Sequence, residues 1–165
     1  MPSDGRSLEP LETPIGTLWA AATAVGVLAV HRGEDPGEML AFVDRFGVEL
    51  SPSMTAEARS QLAAFLEGER RAFTVPLDLR GVAAFDAAVY GAAVAVPFGA
   101  TASYGELAMA AGTPGAARAA GNAMARCRLS PIVPCHRVIR ADGSIGGWGP
   151  DLWVKRWLLA REGFV

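Results

Sequence analysis

Short apolar segments separated by turn residues dominate the first half of the chain. The segments from 13 to 23 and from 25 to 31 are rich in Val, Leu, Ala and Thr, with Gly26 close to the break. Such residues favour strands, and two of them joined by a short glycine-containing turn predict a β-hairpin. Residues 73–79 also alternate as a strand, which Pro76 places at a sheet edge because proline cannot donate a ladder hydrogen bond.

Helical spacing appears between these strand segments. A short pattern covers 39–46, and a stronger one begins near Ser53 and ends near Gly68. Its apolar residues Leu62, Phe65 and Leu66 form one stripe, which is typical of a helix packed on a core. The first half therefore predicts an α/β unit.

Alanine-rich helical segments follow. Residues 85–95 predict a helix that Pro97 stops, and Ser103 with Glu106 forms the sequence pattern of a capping box. The helix after Ser103 extends to about 111, and a second runs from 116 to about 126. Two short helices joined by a tight glycine-containing turn predict a helix-turn-helix, although most helical hairpins bind no DNA.

Charge divides the chain at the same point as the pattern. Residues 1–81 hold 7 Lys and Arg against 12 Asp and Glu, and residues 82–165 hold 8 against 5. The turn at Arg80-Gly81 therefore predicts a boundary between two domains, 1–81 and 82–165. The positive second half is compatible with a polyanionic partner such as DNA, although compositional scatter could also produce it.

Two cysteines, Cys127 and Cys135, are too few for a disulfide framework, and their spacing matches no zinc pattern. The N-terminal Met-Pro-Ser-Asp-Gly-Arg stretch is polar, unlike a signal peptide. We therefore expect a cytoplasmic protein with no metal site and no membrane segment. We also expect it to be a monomer without a cofactor.

The segment most suited to chemistry is Pro-Ile-Val-Pro-Cys-His-Arg-Val at 131–138. A thiol reacts as its thiolate, which a nearby base or positive charge favours. His136 and Arg137 directly follow Cys135, so this octapeptide predicts a nucleophilic cysteine; a buried structural cysteine is the plain alternative.

These motifs together resemble the O6-alkylguanine-DNA alkyltransferases, also called methylated-DNA–protein-cysteine methyltransferases. The resemblance covers about 85–164 in register. It is carried by Val-Pro-Phe-Gly at 96–99, Ser-Tyr at 103–104, Ala-Arg-Ala-Ala-Gly at 117–121, Pro-Cys-His-Arg-Val at 134–138, Gly-Gly-Trp at 146–148, and Lys-Arg-Trp-Leu-Leu at 155–159 with Glu-Gly at 162–163.

The resemblance implies a catalytic set. Cys135 would accept the alkyl group from O6-alkylguanine irreversibly, once per protein molecule. His136 would act as a base through one water, and Glu162 would orient it. Without the resemblance, Glu162 is more typical of a surface charge at a helix end.

The resemblance also implies how the lesion is reached and what the fold is. The nucleotide would be flipped out of duplex DNA, Arg118 would fill the gap, and Tyr104 would press on the 3′ phosphate and hydrogen-bond the flipped base.

The implied fold is a ribonuclease H-like α/β domain followed by a mainly α domain with a winged helix-turn-helix. The remaining implied DNA-binding residues are Ala117, Ala120, Gly121 and Arg137, and the pocket residues are Tyr104, Val138, Trp148 and Gly149.

Three positions depart from the family pattern. Cys127 replaces an asparagine whose amide ties the turn leading to the active site, while Trp148 and Pro150 alter the pocket rim. Because a thiol is a poor bridge between backbone groups, we expect a looser turn compensated by Arg126 or Arg128, or a slower transfer.

Three other functions stay open from the residues. A lesion-binding relative without transfer would lack the acceptor cysteine, which is present here. A thiol hydrolase needs a histidine distant in sequence, for which His31 is the candidate. A transcription regulator would leave the Cys-His-Arg set unexplained.

Overall fold

The computed structural model describes residues 8–164, which divide into two compact units with the boundary between Gly81 and Val82. The prediction that the chain has no signal peptide rests on its polar N-terminal stretch, and most of that stretch lies outside the described residues. Within the described part, no helix is long and apolar enough to cross a membrane.

The first unit is a small antiparallel sheet covered by helices. Its strands β1 (Leu11–Thr13), β2 (Gly16–Ala22) and β3 (Val27–Arg32) lie in chain order, so the predicted hairpin is confirmed. Helices α1 (Gly37–Phe46) and α2 (Pro52–Leu66) supply the apolar cover, and Ser51 caps α2 by accepting from the N–H of Met54. The core of this unit forms where the buried ends of β2 and β3, next to the turn that joins them, pack against the helices.

The predicted strand over 73–79 is wrong as an extended element. Only Leu77 makes a bridge, parallel to Val27, and the N–H of Val27 donates to the Pro76 carbonyl at 2.8 Å. Pairing stops at Asp78, whose carboxylate accepts hydrogen bonds from Thr23 and Arg80. Gly26 allows this close approach, since a Cβ there would lie 2.4 Å from the Pro76 oxygen.

The second unit is mainly helical. Its elements are α3 (Ala84–Val94), β4 (Ala102–Ser103), α4 (Tyr104–Ala110), α5 (Ala117–Ala125), a 3₁₀ turn (Cys135–Arg137), β5 (Val138–Ile139), a second 3₁₀ turn (Gly149–Asp151) and α6 (Leu152–Arg161). The strands β4 and β5 pair in parallel, which holds the segment after Cys135 beside the start of α4.

Local signals account for the helix pair α4–α5. The predicted capping box is confirmed: the Ser103 hydroxyl accepts from the N–H of Glu106, and the Glu106 carboxylate accepts from the N–H of Ser103. The end of α5 is anchored to α3, because Arg126 pairs with Asp86 at 2.8 Å and the Tyr90 hydroxyl donates to the Ala123 carbonyl.

Candidate active site

Cys135 lies at the start of the 3₁₀ turn between α5 and β5. The side chain is buried, with 4% of the residue exposed, and its N–H donates to the Val133 carbonyl at 2.7 Å. Pro134 precedes it, and every residue from 131 to 138 is buried. The apolar run around the cysteine therefore fixes the thiol in a defined place.

A carboxylate joins the two residues that follow Cys135. Glu162, at the end of α6, pairs through Oε2 with Nε2 of His136 and accepts from Nε of Arg137 through Oε1 at 2.8 Å. The N–H of Gly99 donates to the same Oε1 at 3.0 Å. His136 and Glu162 are both buried, so the turn and α6 are tied by charged hydrogen bonds shielded from water.

This network sets the protonation states of its members. Burial opposes the charged form of Glu162, but hydrogen bonds from His136, Arg137 and the Gly99 N–H outweigh it and hold its pKa at about 2. Burial also lowers the pKa of His136, against the pull of Glu162. A neutral imidazole next to an ionised carboxylate can accept a proton, as a general base must.

Arg137, which the resemblance places among the DNA-binding residues, lies in the interior of the second unit. Its guanidinium is buried, donating to Glu162 and, through Nη1, to the Val96 carbonyl at 2.8 Å, and it lies 5.8 Å from the Phe98 ring centre. A buried charge needs such partners. Arg137 therefore anchors Glu162 and the 96–99 loop, and its contact with DNA stays a prediction.

Lys155 also belongs to the site, although the sequence analysis gives it no functional role. It is fully buried on α6, and its Nζ donates to the Val138 carbonyl at 2.7 Å and lies 5.9 Å from the Tyr104 ring centre. Burial lowers its pKa to about 8, against the nearby Cys135, which raises it. The signal in the sequence was a lysine on the buried stripe that holds Val154, Leu158 and Leu159.

Tyr104 lies at the same site. A Cβ at Gly146, where φ is +76°, would lie 3.5 Å from the Tyr104 hydroxyl and 3.7 Å from both Lys155 Nζ and Arg140 Cγ. Burial and the nearby Cys135 raise the pKa of Tyr104, so its hydroxyl stays a donor near neutral pH. Tyr104, Lys155 and Cys135 thus converge from three elements.

Cys127 lies just beyond α5, and its N–H donates to the Met124 carbonyl at 3.1 Å. The nearby Cys135 thiol and the N–H groups of Leu129 and Ser130 lower the pKa of Cys127, against burial. The looser turn or slower transfer expected from Cys127 stays a prediction. Arg126, one of the predicted compensating residues, is bound to Asp86.

The residues predicted on the recognition helix differ in exposure. Arg118 is exposed near the start of α5 and Ala117 is half-buried, whereas Ala120 is fully buried. Gly121 faces Tyr104, since a Cβ there would lie 3.7 Å from its ring. Ala120 and Gly121 thus pack the helix pair, and Arg118 projects from it.

Of the predicted pocket residues, Val138 follows the first 3₁₀ turn, Trp148 precedes the second and Gly149 begins it. Val138 is fully buried and its carbonyl is bound by Lys155, Trp148 is half-buried, and Gly149 is exposed with a φ of +56°. His31, the alternative partner for a thiol hydrolase, lies in the first unit on β3.

Comparisons with known proteins agree with one another. Residues 84–164 match the family described as 6-O-methylguanine DNA methyltransferase, DNA binding domain. A methylated-DNA–protein-cysteine methyltransferase of Mycolicibacterium paratuberculosis is 45% identical over 92% of this chain and 89% of its own. A DNA base-flipping protein of Thermus thermophilus is 34% identical over 93% and 97%. The crystal structure of Mycobacterium tuberculosis OGT in complex with DNA superimposes with a TM-score of 0.77 at 37% identity, covering 94% and 91%.

Proposed function

Since this chain belongs to the methylated-DNA–protein-cysteine methyltransferase family, we propose that it repairs O6-alkylguanine in duplex DNA by moving the alkyl group to its own Cys135. Its enzyme class is that of the family, methyl transfer from DNA to a protein cysteine. The observation that supports Cys135 most strongly is the buried thiol beside a neutral histidine held by Glu162.

The transfer is an in-line displacement at the alkyl carbon. The Cys135 thiolate forms the new S–C bond while the C–O6 bond breaks. The guanine anion that leaves takes up one proton at its ring nitrogen, which balances the proton that the thiol gives up. The nearby Cys127 thiol and burial raise the pKa of Cys135, so its proton needs an acceptor. His136 takes that proton through a water and, because Glu162 holds Nε2, takes it at Nδ1.

Lys155 and Tyr104 complete this chemistry. The ammonium of Lys155 favours the Cys135 thiolate by its charge. The Tyr104 hydroxyl is the donor for the flipped base, and its protonated state suits that role. Neither group requires a metal or cofactor.

The exposed Arg118 is the residue that fills the space of the flipped nucleotide. A guanidinium suits this role because it is flat, stacks on bases and can pair with the orphaned partner. Ala117, beside it on α5, leaves room for the helix to approach the groove. The similarity to a base-flipping protein supports the flipping step.

We assign the guanine pocket to Tyr104, Val138, Trp148 and Gly149. We also propose that the two units have the folds that the family resemblance implies. The first unit is ribonuclease H-like, and α4 and α5 belong to a winged helix-turn-helix, which their packing and capping support. The protein works as a cytoplasmic monomer.

Repair ends after one transfer, because the thioether formed on Cys135 has no S–H and is a poor leaving group. The test is to mix the protein with an excess of duplex containing O6-methylguanine and count restored guanines. We expect a plateau at one per protein molecule, which Cys135→Ser abolishes. Tight, lesion-selective binding without restoration would instead establish a base-flipping sensor and contradict the proposal.

A further inference from the structure

Arg140 is an exposed arginine that has no part in the transfer chemistry. It directly follows β5, and the parallel pairing of β5 with β4 sets Ile139 opposite Ser103. Tyr104 begins α4 immediately after Ser103, so Arg140 and Tyr104 leave the ends of two neighbouring strands. The register of this strand pair therefore places an exposed arginine beside the site that holds Cys135.

The turn that follows Arg140 is closed by its own hydrogen bonds. The N–H of Arg140 donates to the Ser144 carbonyl at 2.9 Å, and the N–H of Gly143 donates to the Arg140 carbonyl at 3.0 Å. Asp142 accepts from the N–H and from the hydroxyl of Ser144, at 2.9 and 2.7 Å. Every residue from 140 to 144 is exposed. The turn thus presents Arg140 to solvent from a defined backbone position.

Gly146 leaves space between Arg140 and the buried part of the site. A Cβ at this glycine would lie 3.5 Å from the Tyr104 hydroxyl and 3.7 Å from both Lys155 Nζ and Arg140 Cγ. Lys155 is a fully buried cation, and the Tyr104 hydroxyl is a donor near neutral pH because its pKa is raised. Two positively charged side chains and a hydroxyl donor therefore surround one point, and such a cluster favours an anion beside it.

The carboxylate near Arg140 does not bind it. In the part of the chain that the structure describes, the Arg140 guanidinium has no hydrogen bond or ion pair. The carboxylate of Asp142 is engaged by Ser144, whose hydrogen bonds lower the pKa of Asp142 more than the charge of Arg140 does. Arg140 is therefore available to an anion from outside the chain.

We propose that Arg140 binds a backbone phosphate next to the flipped nucleotide and positions the DNA strand where it enters the site. The proposal rests on the function proposed above, in which the flipped base lies against Tyr104. A nucleotide that reaches Tyr104 brings its flanking phosphates close to the exposed turn, and a guanidinium binds a phosphate through two parallel N–H bonds. Arg118 and Arg140 then act at different points, since Arg118 fills the duplex and Arg140 holds the strand that has left it.

The test compares Arg140→Gln and Arg140→Lys with the wild type in single-turnover reactions on a duplex that carries O6-methylguanine. At subsaturating DNA we expect Arg140→Gln to react about 10-fold more slowly, and its affinity to depend less on salt by about one phosphate contact. Arg140→Lys should keep most of the rate because it keeps the charge. Arg45→Gln removes an exposed arginine from the first unit and is the control. With a free O6-alkylguanine base, which has no phosphate, all four proteins should react equally.

A second pair of duplexes locates the contact. In each, a neutral methylphosphonate replaces one phosphate flanking the lesion, on its 5′ or its 3′ side. At the contacted phosphate the wild type should slow to the rate of Arg140→Gln, and the variant should slow no further. Losses that add at both positions would overturn the proposal.

The free base separates this proposal from the function on which it rests. A normal rate of Arg140→Gln on the lesion duplex, or an equal loss with the free base, would overturn the phosphate contact and leave transfer to Cys135 standing. A wild-type protein that alkylates Cys135 with neither substrate would instead contradict the proposed function, and this proposal with it.

Discussion

At the scale of single residues, the site depends on buried charges that satisfy one another. Glu162 contacts both His136 and Arg137, and each of these would be a costly buried group without it. Glu162 is distant in sequence from His136 and Arg137. The three side chains come together as one hydrogen-bonded cluster when α6 packs on the 3₁₀ turn.

Glu162→Gln tests this cluster. We expect transfer to slow about 100-fold, because the imidazole loses the group that orients it as a base, and the free energy of unfolding to fall by about 3 kcal/mol, because Arg137 stays buried without its counter-charge. Single-turnover rates and urea denaturation measure the two effects. Glu67→Gln makes the same chemical change at an exposed site and should alter neither. An unchanged rate in folded Glu162→Gln would contradict the role.

The same network predicts how stability depends on pH. The pKa of His136 lies below its usual 6.5, so as pH falls through that value the unfolded chain binds a proton that the native chain does not. Stability must therefore decrease. The pKa of Glu162 is about 2 against a usual 4.5, so a second decrease is expected as pH falls from 4.5 towards 2. Denaturant titrations between about pH 7.5 and 2 on the wild type and His136→Asn measure both decreases. The variant should lack the first decrease, and identical profiles would contradict the assignment.

The sequence predicts part of this site from residue types, but it does not predict which charged side chains are buried. The run of Cys135, His136 and Arg137 indicated chemistry without a structure. The sequence could not show that Arg137 turns inward to Val96 and Glu162, because an arginine next to a reactive cysteine is equally typical of a DNA contact. Lys155 was missed for the opposite reason, since a lysine in a helix is usually solvated.

At the scale of elements, local signals predicted helices better than strands. The capping box at Ser103 and the apolar stripes fix α4 and α2 within a few residues. The strand predicted over 73–79 did not form, because this segment pairs only where Pro76 approaches Val27 and the pairing ends at Asp78. Asp78 binds Thr23 and Arg80, and the alternation of apolar and polar residues does not reveal these partners.

Gly121 tests the packing of α4 against α5. A Cβ there would make ordinary contacts with the Tyr104 ring at 3.7 and 3.8 Å, so Gly121→Ala fits. We expect it to raise the free energy of unfolding by about 0.8 kcal/mol, because alanine favours a helix interior over glycine. Thermal melts and transfer rates provide the check. The larger Gly121→Leu should displace Tyr104 and slow transfer; a variant with Leu and an unchanged rate would show that Tyr104 is not needed where it lies.

At the scale of the whole molecule, the charge contrast between the halves matches the division into two units. The positive unit holds both the thiol site and the exposed Arg118, so the proposed recognition and the proposed chemistry lie in the same unit. The division was predictable because composition, charge and turn residues change together near Gly81.

Arg118→Ala separates DNA recognition from transfer chemistry. We expect a rate at least 10-fold lower on O6-methylguanine duplex, because the gap left by flipping is unfilled at a cost of about 1–3 kcal/mol. The rate with a free O6-alkylguanine base should be unchanged, since nothing has to be flipped. Arg45→Ala, at an exposed position in the first unit, is the control. An equal loss with the free base would place Arg118 in the chemistry instead.

The measurement that tests the account most directly is peptide mapping after reaction with a duplex carrying O6-methylguanine. The account predicts one added methyl group on Cys135, none on its neighbour Cys127, and unmodified guanine in the DNA. A methyl group on Cys127, or bound lesion with both thiols unmodified, would contradict it.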